Sequence, residues 1–485
     1  MRVIIFYDSP HFLCDSLKYR CLIQYNSVTL QNDNNVLVMR FSVLFLVVIY
    51  LLPVSCKSNG NTTPEWLEND SETAIYQRTL SDFSLTMSQA KEQLLKLYPN
   101  ISETDINEYI SNKYLEVKEF EGEKRMHRKS PSNLKLLCPE IRGEWNGRGS
   151  DATAEEILWV DSIVRDSEGN GSISNEKIVK YRFAIDVPKH DFLIGDTLRV
   201  WMPLPIESER QRNIKILSSI PQEYEVSTDK SVHNTIYFEA PVLETSDSII
   251  HFEYIGEYNV AAQYYSPEYI EQKLKPYDES SELYSKYTSE ELPHIIRFDS
   301  LARSIVGDEK SPFKQSELVY DYIIKNYPWA GAREYSTIEC IPQYVLNENH
   351  GDCGQVALLY ISLMRTLGVP ARWESGWMLH PGQKNLHDWA EVYFNGIGWV
   401  AVDISFGRFT DAKDKSTQNY YSTGMDQYRF ATNKGVCGEL YPPKKYIRSE
   451  TIDFQVGEVE CSKGNLFYPG WKKRLEILET KYIDK

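Results

Sequence analysis

Hydrophobic residues recur at helical intervals in the early part of the chain. Between residues 64 and 129, Met87 and Leu94 share one helical face, and Pro99 is placed to end that helix. Ser102–Asp105 then has the sequence of a capping box, in which the two end side chains bond each other's backbone N–H groups. The pattern predicts a helical N-terminal region.

Between residues 178 and 264 the pattern changes to a period of two, which is typical of half-buried strands. Turn residues separate at least five such segments: Val179–Ile185, Leu198–Met202, Ile214–Ile216, Ile236–Phe238 and Ile249–Tyr258. They predict a small antiparallel β-sandwich, for which we expect a scaffold role. Helical spacing returns near 295–306 and 316–326.

Length and charge limit the classes of function. A chain of 485 residues with 42% hydrophobic residues can bury cores for two or three domains. The formal net charge is −16, whereas binding to a phosphate backbone requires clustered Lys and Arg. We therefore expect no nucleic-acid partner.

The segment from Met39 has the layout of a secretory signal peptide. Arg40 is followed by an apolar run, Phe41–Leu52, and then by Pro-Val-Ser-Cys, which ends at Cys56. The run is too short to span a bilayer comfortably. It resembles a bacterial lipoprotein signal, in which Cys56 is acylated, although a proline stands three residues before the cysteine, where Leu, Val or Ile is usual.

This resemblance implies a protein of the bacterial cell envelope, lipid-anchored through Cys56 and facing the periplasm or the surface. Because a signal peptide should begin the chain, we expect Met39 to be the true start and residues 1–38 to be an extension that does not belong to the protein. The alternative is an ordinary secretory signal in which Cys56 is incidental.

Cys353 has the setting of a reactive thiol. It stands between glycines directly before an amphipathic segment that Gly368 and Pro370 are placed to end. A helix N-terminus favours a thiolate, and its free N–H groups can hold an oxyanion. A lone cysteine before a helix is more often a small buried hydrophobe, so the prediction depends on partners elsewhere in the chain.

Two predicted strands supply these partners. His387 begins an alternating segment, and Asp403 ends the next one after an Asn-Gly-Ile-Gly turn that starts at Asn395. A hairpin folded about Asn395 would place His387 and Asp403 directly opposite each other on one face, whereas a two-residue turn would separate them. We therefore predict an odd-length loop and a Cys–His–Asp arrangement.

The strings GDCG (351–354), GVPAR (368–372) and HDWAEVYFNGIGWVAVD (387–403) resemble the core of the transglutaminase-like superfamily over roughly residues 310–410. PWAGAREYS (328–336) and SGWMLHPG (375–382) resemble a Bacteroidetes-type lipoprotein branch of it. The resemblance implies a papain-like core with Cys353 as nucleophile, His387 as base and Asp403 as orienting acid.

Several side chains near this core remain open candidates. The family usually supplies a second oxyanion donor upstream of the cysteine, for which Trp329, Gln343 and Tyr344 are available. His350 and His380 have no partner at metal-ligand spacing, so we expect no metal, and we expect no cofactor. A disulfide between Cys437 and Cys461 and a regulatory one at Cys340 remain open.

The predicted fold class is α+β, with a papain-like transglutaminase core preceded by an antiparallel β-sandwich and a helical N-terminal region. The predicted parts are an extension (1–38), a lipoprotein signal (39–55), a tether with helices (56–150), a sandwich (151–265), the catalytic core (266–415) and C-terminal strands completing that core (416–485).

The predicted activity is that of a cysteine peptidase or amidase that attacks a peptide or protein amide through a Cys353 thioester. Bacterial relatives in this superfamily resemble hydrolases more often than cross-linkers, which favours water as the acceptor. The alternatives are a protein-crosslinking acyltransferase and a non-enzymatic envelope lipoprotein that binds peptide or glycan.

Overall fold

The computed structural model describes backbone strands within residues 2–40 and then residues 66–483, with gaps at 229, 246 and 290–291. Met1–Asn61 forms a unit separate from Thr62–Lys485. Its strands are β1 (Arg2–Ile4), β2 (Arg20–Gln24), β3 (Ser27–Asn32) and β4 (Asn35–Arg40). The apolar run of the predicted signal peptide and Cys56 lie outside the described residues.

The region after residue 66 is mainly helical, as its hydrophobic spacing predicts. The capping box is confirmed, since Ser102 accepts from the Asp105 N–H and Asp105 accepts from the Ser102 N–H. The elements are β5 (Leu67–Glu68), α1 (Ser71–Asp82), β6 (Leu85–Thr86), α2 (Met87–Leu97), α3 (Glu103–Ser111), β7 (Val117–Phe120), β8 (Glu123–Met126), α4 (Ser130–Leu137), α5 (Pro139–Arg142) and α6 (Ala154–Asp166).

A β-sandwich follows, with its core between two antiparallel sheets. Tyr181 and Tyr254 from one sheet pack in one cluster with Val200 and Phe238 from the other. The strands of this stretch are β9 (Asn170–Pro188), β10 (Thr197–Pro203), β11 (Gln211–Ile220), β12 (Glu225–Val226), β13 (Thr235–Pro241) and β14 (Ile249–Tyr265). One sheet has the order β12-β13-β10 and the other the order β11-β14-β9.

The next part packs helices against a further antiparallel sheet. Its elements are α7 (Pro267–Lys273), α8 (Glu282–Ser289), α9 (Asp299–Val306), α10 (Pro312–Asn326), α11 (Ile341–Glu348), α12 (Cys353–Thr366), β15 (Ala371–His380), β16 (Gln383–Phe394) and β17 (Gly398–Val402). Every residue of α12 from Gly354 to Arg365 is buried. This helix is therefore the centre of the core, with its N-terminal residue Cys353 at the edge.

The C-terminal strands divide between the two parts. The elements of this tail are α13 (Lys415–Gln418), β18 (Gly424–Met425), β19 (Arg429–Asn433), β20 (Glu458–Cys461), β21 (Gly464–Leu466) and β22 (Lys472–Tyr482). β19 completes the sheet β17-β16-β15-β19, but β20 pairs with β10 and β22 with β9. We expected the whole tail to complete the predicted core; β19 does so, whereas β20 and β22 cover strand edges of the sandwich, which would otherwise leave backbone N–H and C=O groups unpaired.

A buried ion-pair network joins the sandwich to the sheet β17-β16-β15-β19. The Arg210 guanidinium, next to β11, lies 2.5 Å from Glu374 Oε2 and 3.4 Å from Glu391 Oε1. Glu391 also pairs with Arg372 at 2.6 Å. Glu374 and Glu391 lie on the neighbouring strands β15 and β16, so one arginine from the sandwich pairs with a carboxylate on each of the two strands.

Candidate active site

Cys353 is the first residue of α12, as predicted, and a carboxylate caps the helix directly before it. The Asp352 side chain accepts from the Gln355 N–H at 3.1 Å, and the Gln355 side chain accepts from the Asp352 N–H at 3.1 Å. Tyr335 donates its hydroxyl proton to the same carboxylate at 2.5 Å. The N-terminus of α12 therefore already carries an anion.

The sulfur of Cys353 faces a second carboxyl group. Its Sγ donates to Asp388 Oδ2 at 3.4 Å, and the backbone N–H of Asp388 donates to Sγ. Burial, followed by the charges of Asp388 and Asp352, raises the pKa of the Cys353 thiol well above its ordinary value. Burial and the charges of these two neighbouring carboxyl groups therefore act against the thiolate that the helix N-terminus is predicted to favour.

Asp388 itself is hydrogen-bonded to side chains of the C-terminal tail. Gln455 donates to Asp388 Oδ1 at 2.6 Å and to the His387 carbonyl at 3.1 Å, and the carboxyl groups of Asp388 and Asp453 are hydrogen-bonded to each other. Burial and the nearby Asp352 charge raise the pKa of Asp388 to about 7. The carboxyl group beside the sulfur therefore gains its charge close to neutral pH.

The hairpin of β16 and β17 has the odd-length loop that the sequence predicts. Phe394 pairs with Gly398 across a three-residue loop, so the hairpin is centred on Gly396 and not on Asn395. Gly396 takes a φ of 94°, a conformation that glycine adopts without strain. The register is therefore shifted by two residues from the predicted one.

This shift corrects the predicted position of Asp403. Ala390 pairs with Val402, so Asp403 comes level with Trp389 and not with His387. Because a shift of two residues preserves the face of a strand, the two side chains still meet. His387 Nε2 lies 2.7 Å from Asp403 Oδ2, which leaves Nδ1 as the ring nitrogen for proton transfer.

Asp403 is fully buried, and its charge is balanced by further partners. Arg429 Nη2 lies 3.3 Å from Asp403 Oδ2 and 2.6 Å from Asp426 Oδ2. The Ser405 N–H donates to Asp403 Oδ1 at 3.1 Å. The carboxylate is therefore fixed from two sides, and it fixes the imidazole of His387 in turn.

One cavity of about 720 Å³ brings the predicted residues together. Its walls include Cys353, His387, Asp388, Asp453, Gln455 and Trp329. His387 and Cys353 share this wall, while Asp403 lies behind His387. The arrangement offers a sulfur nucleophile, an oriented imidazole and the N–H groups of a helix start around a space large enough for part of a peptide.

A family comparison agrees with this geometry. The model of the transglutaminase-like superfamily core matches residues 299–404. These residues form a transglutaminase-like core. Cys353, His387 and Asp403 all lie within it.

Two bacterial proteins without an assigned function share part of the sequence. YebA of Bacillus subtilis (strain 168) is 27% identical over 154 residues, which are 28% of this chain and 20% of YebA. A protein of Haemophilus influenzae (strain Rd) is 24% identical over 217 residues, which are 36% of this chain and 58% of that protein. The chain therefore spans less than two thirds of either relative.

Solved structures with partial similarity include a candidate cysteine protease from Cytophaga hutchinsonii. Its TM-score is 0.40 and its sequence identity is 15%, and the match covers 65% of this chain and 93% of the Cytophaga chain. The periplasmic domain of TgpA from Pseudomonas aeruginosa has a TM-score of 0.25 and 11% identity, with coverage of 57% and 99%.

The three candidate side chains for the second oxyanion donor differ in whether they reach the cavity. Trp329 lines the cavity with 48% of its surface exposed. Gln343 donates to Asn347 and Tyr344 donates to Glu116, so both amide and hydroxyl are engaged elsewhere. Of the three proposed oxyanion donors, Trp329 is the one placed at the cavity.

Within residues 66–483, apart from the gaps given above, no three His, Cys, Asp or Glu side chains are grouped to hold a metal ion. The cysteines of this part, Cys138, Cys340, Cys353, Cys437 and Cys461, are free thiols, so Cys437 and Cys461 are unpaired with each other. No helix in the described part of the chain is long and apolar enough to cross a membrane.

Sequence reasoning missed the carboxyl groups around the sulfur. Asp388 follows His387 directly, and its side chain lies 3.4 Å from the sulfur, which the spacing of strand residues did not indicate. Asp453 and Gln455 come from the C-terminal tail and lie outside the transglutaminase-like core. The capping pattern of Asp352 and Gln355 was the one available signal, since an acidic residue with Gln three positions later is typical of a capping box.

Proposed function

We propose that this protein is a cysteine-dependent hydrolase of amide bonds in peptides or proteins. The observation that carries the proposal is the 2.7 Å contact between His387 and Asp403 in the wall of the cavity that Cys353 lines at the start of α12. An imidazole fixed in this way is a proton acceptor, and a sulfur at a helix start is a nucleophile with backbone donors beside it.

The first half of the reaction forms a thioester. Cys353 Sγ attacks the amide carbonyl carbon as the thiol proton passes to His387, and the carbonyl oxygen becomes an oxyanion beside the first N–H groups of α12. His387 then returns this proton to the nitrogen as the carbon–nitrogen bond breaks, so the amine leaves neutral. Asp403 keeps the imidazole oriented and stabilises its charged form.

The second half restores the enzyme. A water molecule attacks the thioester carbon while His387 accepts one of its protons. The carbon–sulfur bond then breaks, the sulfur takes the proton from His387, and a carboxylic acid leaves. Because burial and the charges of Asp388 and Asp352 raise the pKa of Cys353, we assign the imidazole the role of a base that takes the thiol proton during attack.

The test is an incubation of the purified chain with a peptide library and with peptidoglycan fragments, in the presence of a fluorescent primary amine, followed by mass spectrometry. We expect products with a new carboxyl group and an acyl adduct on Cys353 after an acid quench. Cys353→Ala should abolish both. Cys340→Ala removes another partly buried free thiol and serves as the matched control.

Each outcome decides between functions. New carboxyl ends that depend on Cys353 support hydrolysis. Incorporation of the fluorescent amine in their place would identify a cross-linking acyltransferase and overturn hydrolysis. Bound peptide with no Cys353-dependent product at all would identify a binding protein.

The charge of Asp388 should control the reactivity of Cys353. Above the Asp388 pKa of about 7 its carboxylate opposes a thiolate, and below that pKa the group is neutral. Asp388→Asn should therefore raise the rate of iodoacetamide alkylation of Cys353 roughly 3- to 10-fold at about pH 8 and leave it unchanged at about pH 5.5. The carboxyl groups of Asp352 and Asp453 face the same region in both proteins.

The measurement is the alkylation rate against pH, read at Cys353 by peptide mapping. Asp299→Asn, which removes a carboxylate that is 56% exposed, is the matched control and should match the unaltered protein at every pH. Equal rates for Asp388→Asn and the control at high pH would show that Asp388 does not oppose the thiolate.

We also propose that the mature chain is anchored to the cell envelope through an acylated Cys56. The polar segment after Cys56 would then separate the folded part from the membrane. In a bacterial host fed a labelled fatty acid, the label should enter the protein and be lost in Cys56→Ser, while Cys340→Ser keeps it. Label that persists in Cys56→Ser would rule out this anchor.

A further inference from the structure

A short loop from outside the transglutaminase-like core reaches the segment that precedes Cys353. It consists of Gly147, Arg148 and Gly149, between α5 and α6. The Arg148 N–H donates to the Ile324 carbonyl at 3.0 Å, Arg148 Nε donates to the Tyr327 carbonyl at 2.8 Å, and Arg148 Nη2 donates to the Gly351 carbonyl at 2.5 Å. One side chain thus fixes the end of α10 and the turn two residues before the nucleophile.

The same loop also contacts the segment that follows Asp403. The Arg408 N–H donates to the Arg148 carbonyl at 3.0 Å. Gly149 has a φ of 81°, and any side chain there would collide with the Phe406 carbonyl. A side chain at Gly407 would likewise collide with the Arg148 carbonyl. The loop is therefore packed between the two segments that carry Cys353 and Asp403.

Arg148 brings a buried positive charge to this position. Its residue is 4% exposed, and its Nη1 is buried without a hydrogen-bond partner in the described structure. Burial lowers the pKa of Arg148 to about 10, while the nearby Asp352, Cys353 and Asp403 act against that lowering. The guanidinium is therefore still charged at neutral pH, and Asp352, Cys353 and Asp403 are the nearby groups whose negative charge it would stabilise.

We propose that Arg148 is a positioning residue for Cys353, which holds the Gly351 carbonyl so that α12 begins at the nucleophile and which stabilises negative charge on the sulfur. This inference rests on the proposed function and adds a residue to its machinery. Arg148 gives the N-terminal region a part in the site that the transglutaminase-like core does not supply by itself.

The experiment measures alkylation of Cys353 by iodoacetamide against pH in the full chain with Arg148→Gln or Arg148→Lys. Gln is neutral, whereas Lys keeps the charge but cannot reach several carbonyls as the guanidinium does. Arg165→Met, which removes a positive charge on a side chain that is 68% exposed, is the control for net charge. Circular dichroism and thermal unfolding confirm that each variant is folded.

For Arg148→Gln we expect the midpoint of the alkylation profile to rise by about one pH unit, with no change in Arg165→Met. Arg148→Lys should keep the midpoint but lower the limiting rate, because the loop before Cys353 is less well held. A midpoint in Arg148→Gln equal to that of the control overturns the charge role. If Arg148→Gln does not fold, a limiting rate in Arg148→Lys equal to that of the unaltered protein overturns the positioning role.

These results are separate from a failure of the proposed function. Alkylation needs no amide substrate, so it reports on Arg148 even if the unaltered chain cleaves nothing. Absence of Cys353-dependent cleavage in the unaltered chain, together with the expected shift in Arg148→Gln, would reject hydrolysis and leave the electrostatic role of Arg148 in place.

Discussion

His387→Ala is expected to lower kcat/KM for a cleaved peptide by roughly 10³-fold, with folding unchanged. Burial and the charges of Asp388 and Asp352 raise the pKa of the Cys353 thiol, which favours its protonated form. In the proposed mechanism a base takes that proton during attack, and His387, held by Asp403 at 2.7 Å, is the group proposed for this step. The measurement is steady-state hydrolysis of a peptide that the library experiment identifies.

The matched control is His190→Ala, which removes a histidine that is 78% exposed on the sandwich. It should leave kcat/KM unchanged. Asp403→Asn should lower the rate in the same direction as His387→Ala, since the imidazole loses its orienting carboxylate. A His387→Ala enzyme with more than about a tenth of the original kcat/KM would show that another group accepts the proton.

Arg210→Met is expected to lower the free energy of unfolding by about 3–5 kcal/mol. The substitution leaves the buried carboxylates of Glu374 and Glu391 facing each other across β15 and β16, with Arg372 as the remaining cation at Glu391. Because these groups are almost fully buried, water cannot replace the lost partner. Urea denaturation followed by fluorescence measures the change.

Arg212→Met is the neighbouring control for this effect. Arg212 lies two residues away and pairs with Glu176 at 2.6 Å, but its side chain is 42% exposed. We expect a loss of at most about 1 kcal/mol there. Similar losses for the two variants would mean that burial does not set the contribution of Arg210, and that the network does not join the sandwich to the sheet β17-β16-β15-β19 as described.

The substitutions of Arg210 and Arg148 also test how the parts of the chain depend on each other. Arg210 comes from the sandwich and Arg148 from the helical N-terminal region, yet both reach the transglutaminase-like core. Asp453 and Gln455 reach it from the C-terminal tail. A fragment limited to the matched residues 299–404 would lack all four side chains.

Local pattern was sufficient for the elements that carry the proposed chemistry. The start of α12 at Cys353 and its end before Gly368 follow from residues within a few positions of each end. The odd-length loop between β16 and β17 follows from the turn residues, and the strand period then places His387 and Asp403 on one face. Both are short-range properties of the chain.

The exact pairing register of β16 and β17 could be read only from the folded hairpin. Asn395 and Gly396 are both turn residues, and the sequence does not distinguish a loop centred on one from a loop centred on the other. The structure selects Gly396, which takes the positive φ of the loop. The contact between His387 and Asp403 survives because the error is two residues, one full period of a strand.

The sequence by itself thus determined the α+β class, the helix that presents Cys353 and the hairpin that presents His387 and Asp403. The tertiary structure alone decided the surroundings of the sulfur, because Asp388 contacts it, Asp453 is hydrogen-bonded to Asp388 and Arg148 donates to the Gly351 carbonyl from segments far apart in the chain. It also decided that β20 and β22 close the edges of the sandwich. Periodicity and caps depend on neighbours in sequence, whereas charge balance and edge pairing depend on which distant segments meet when the chain is compact.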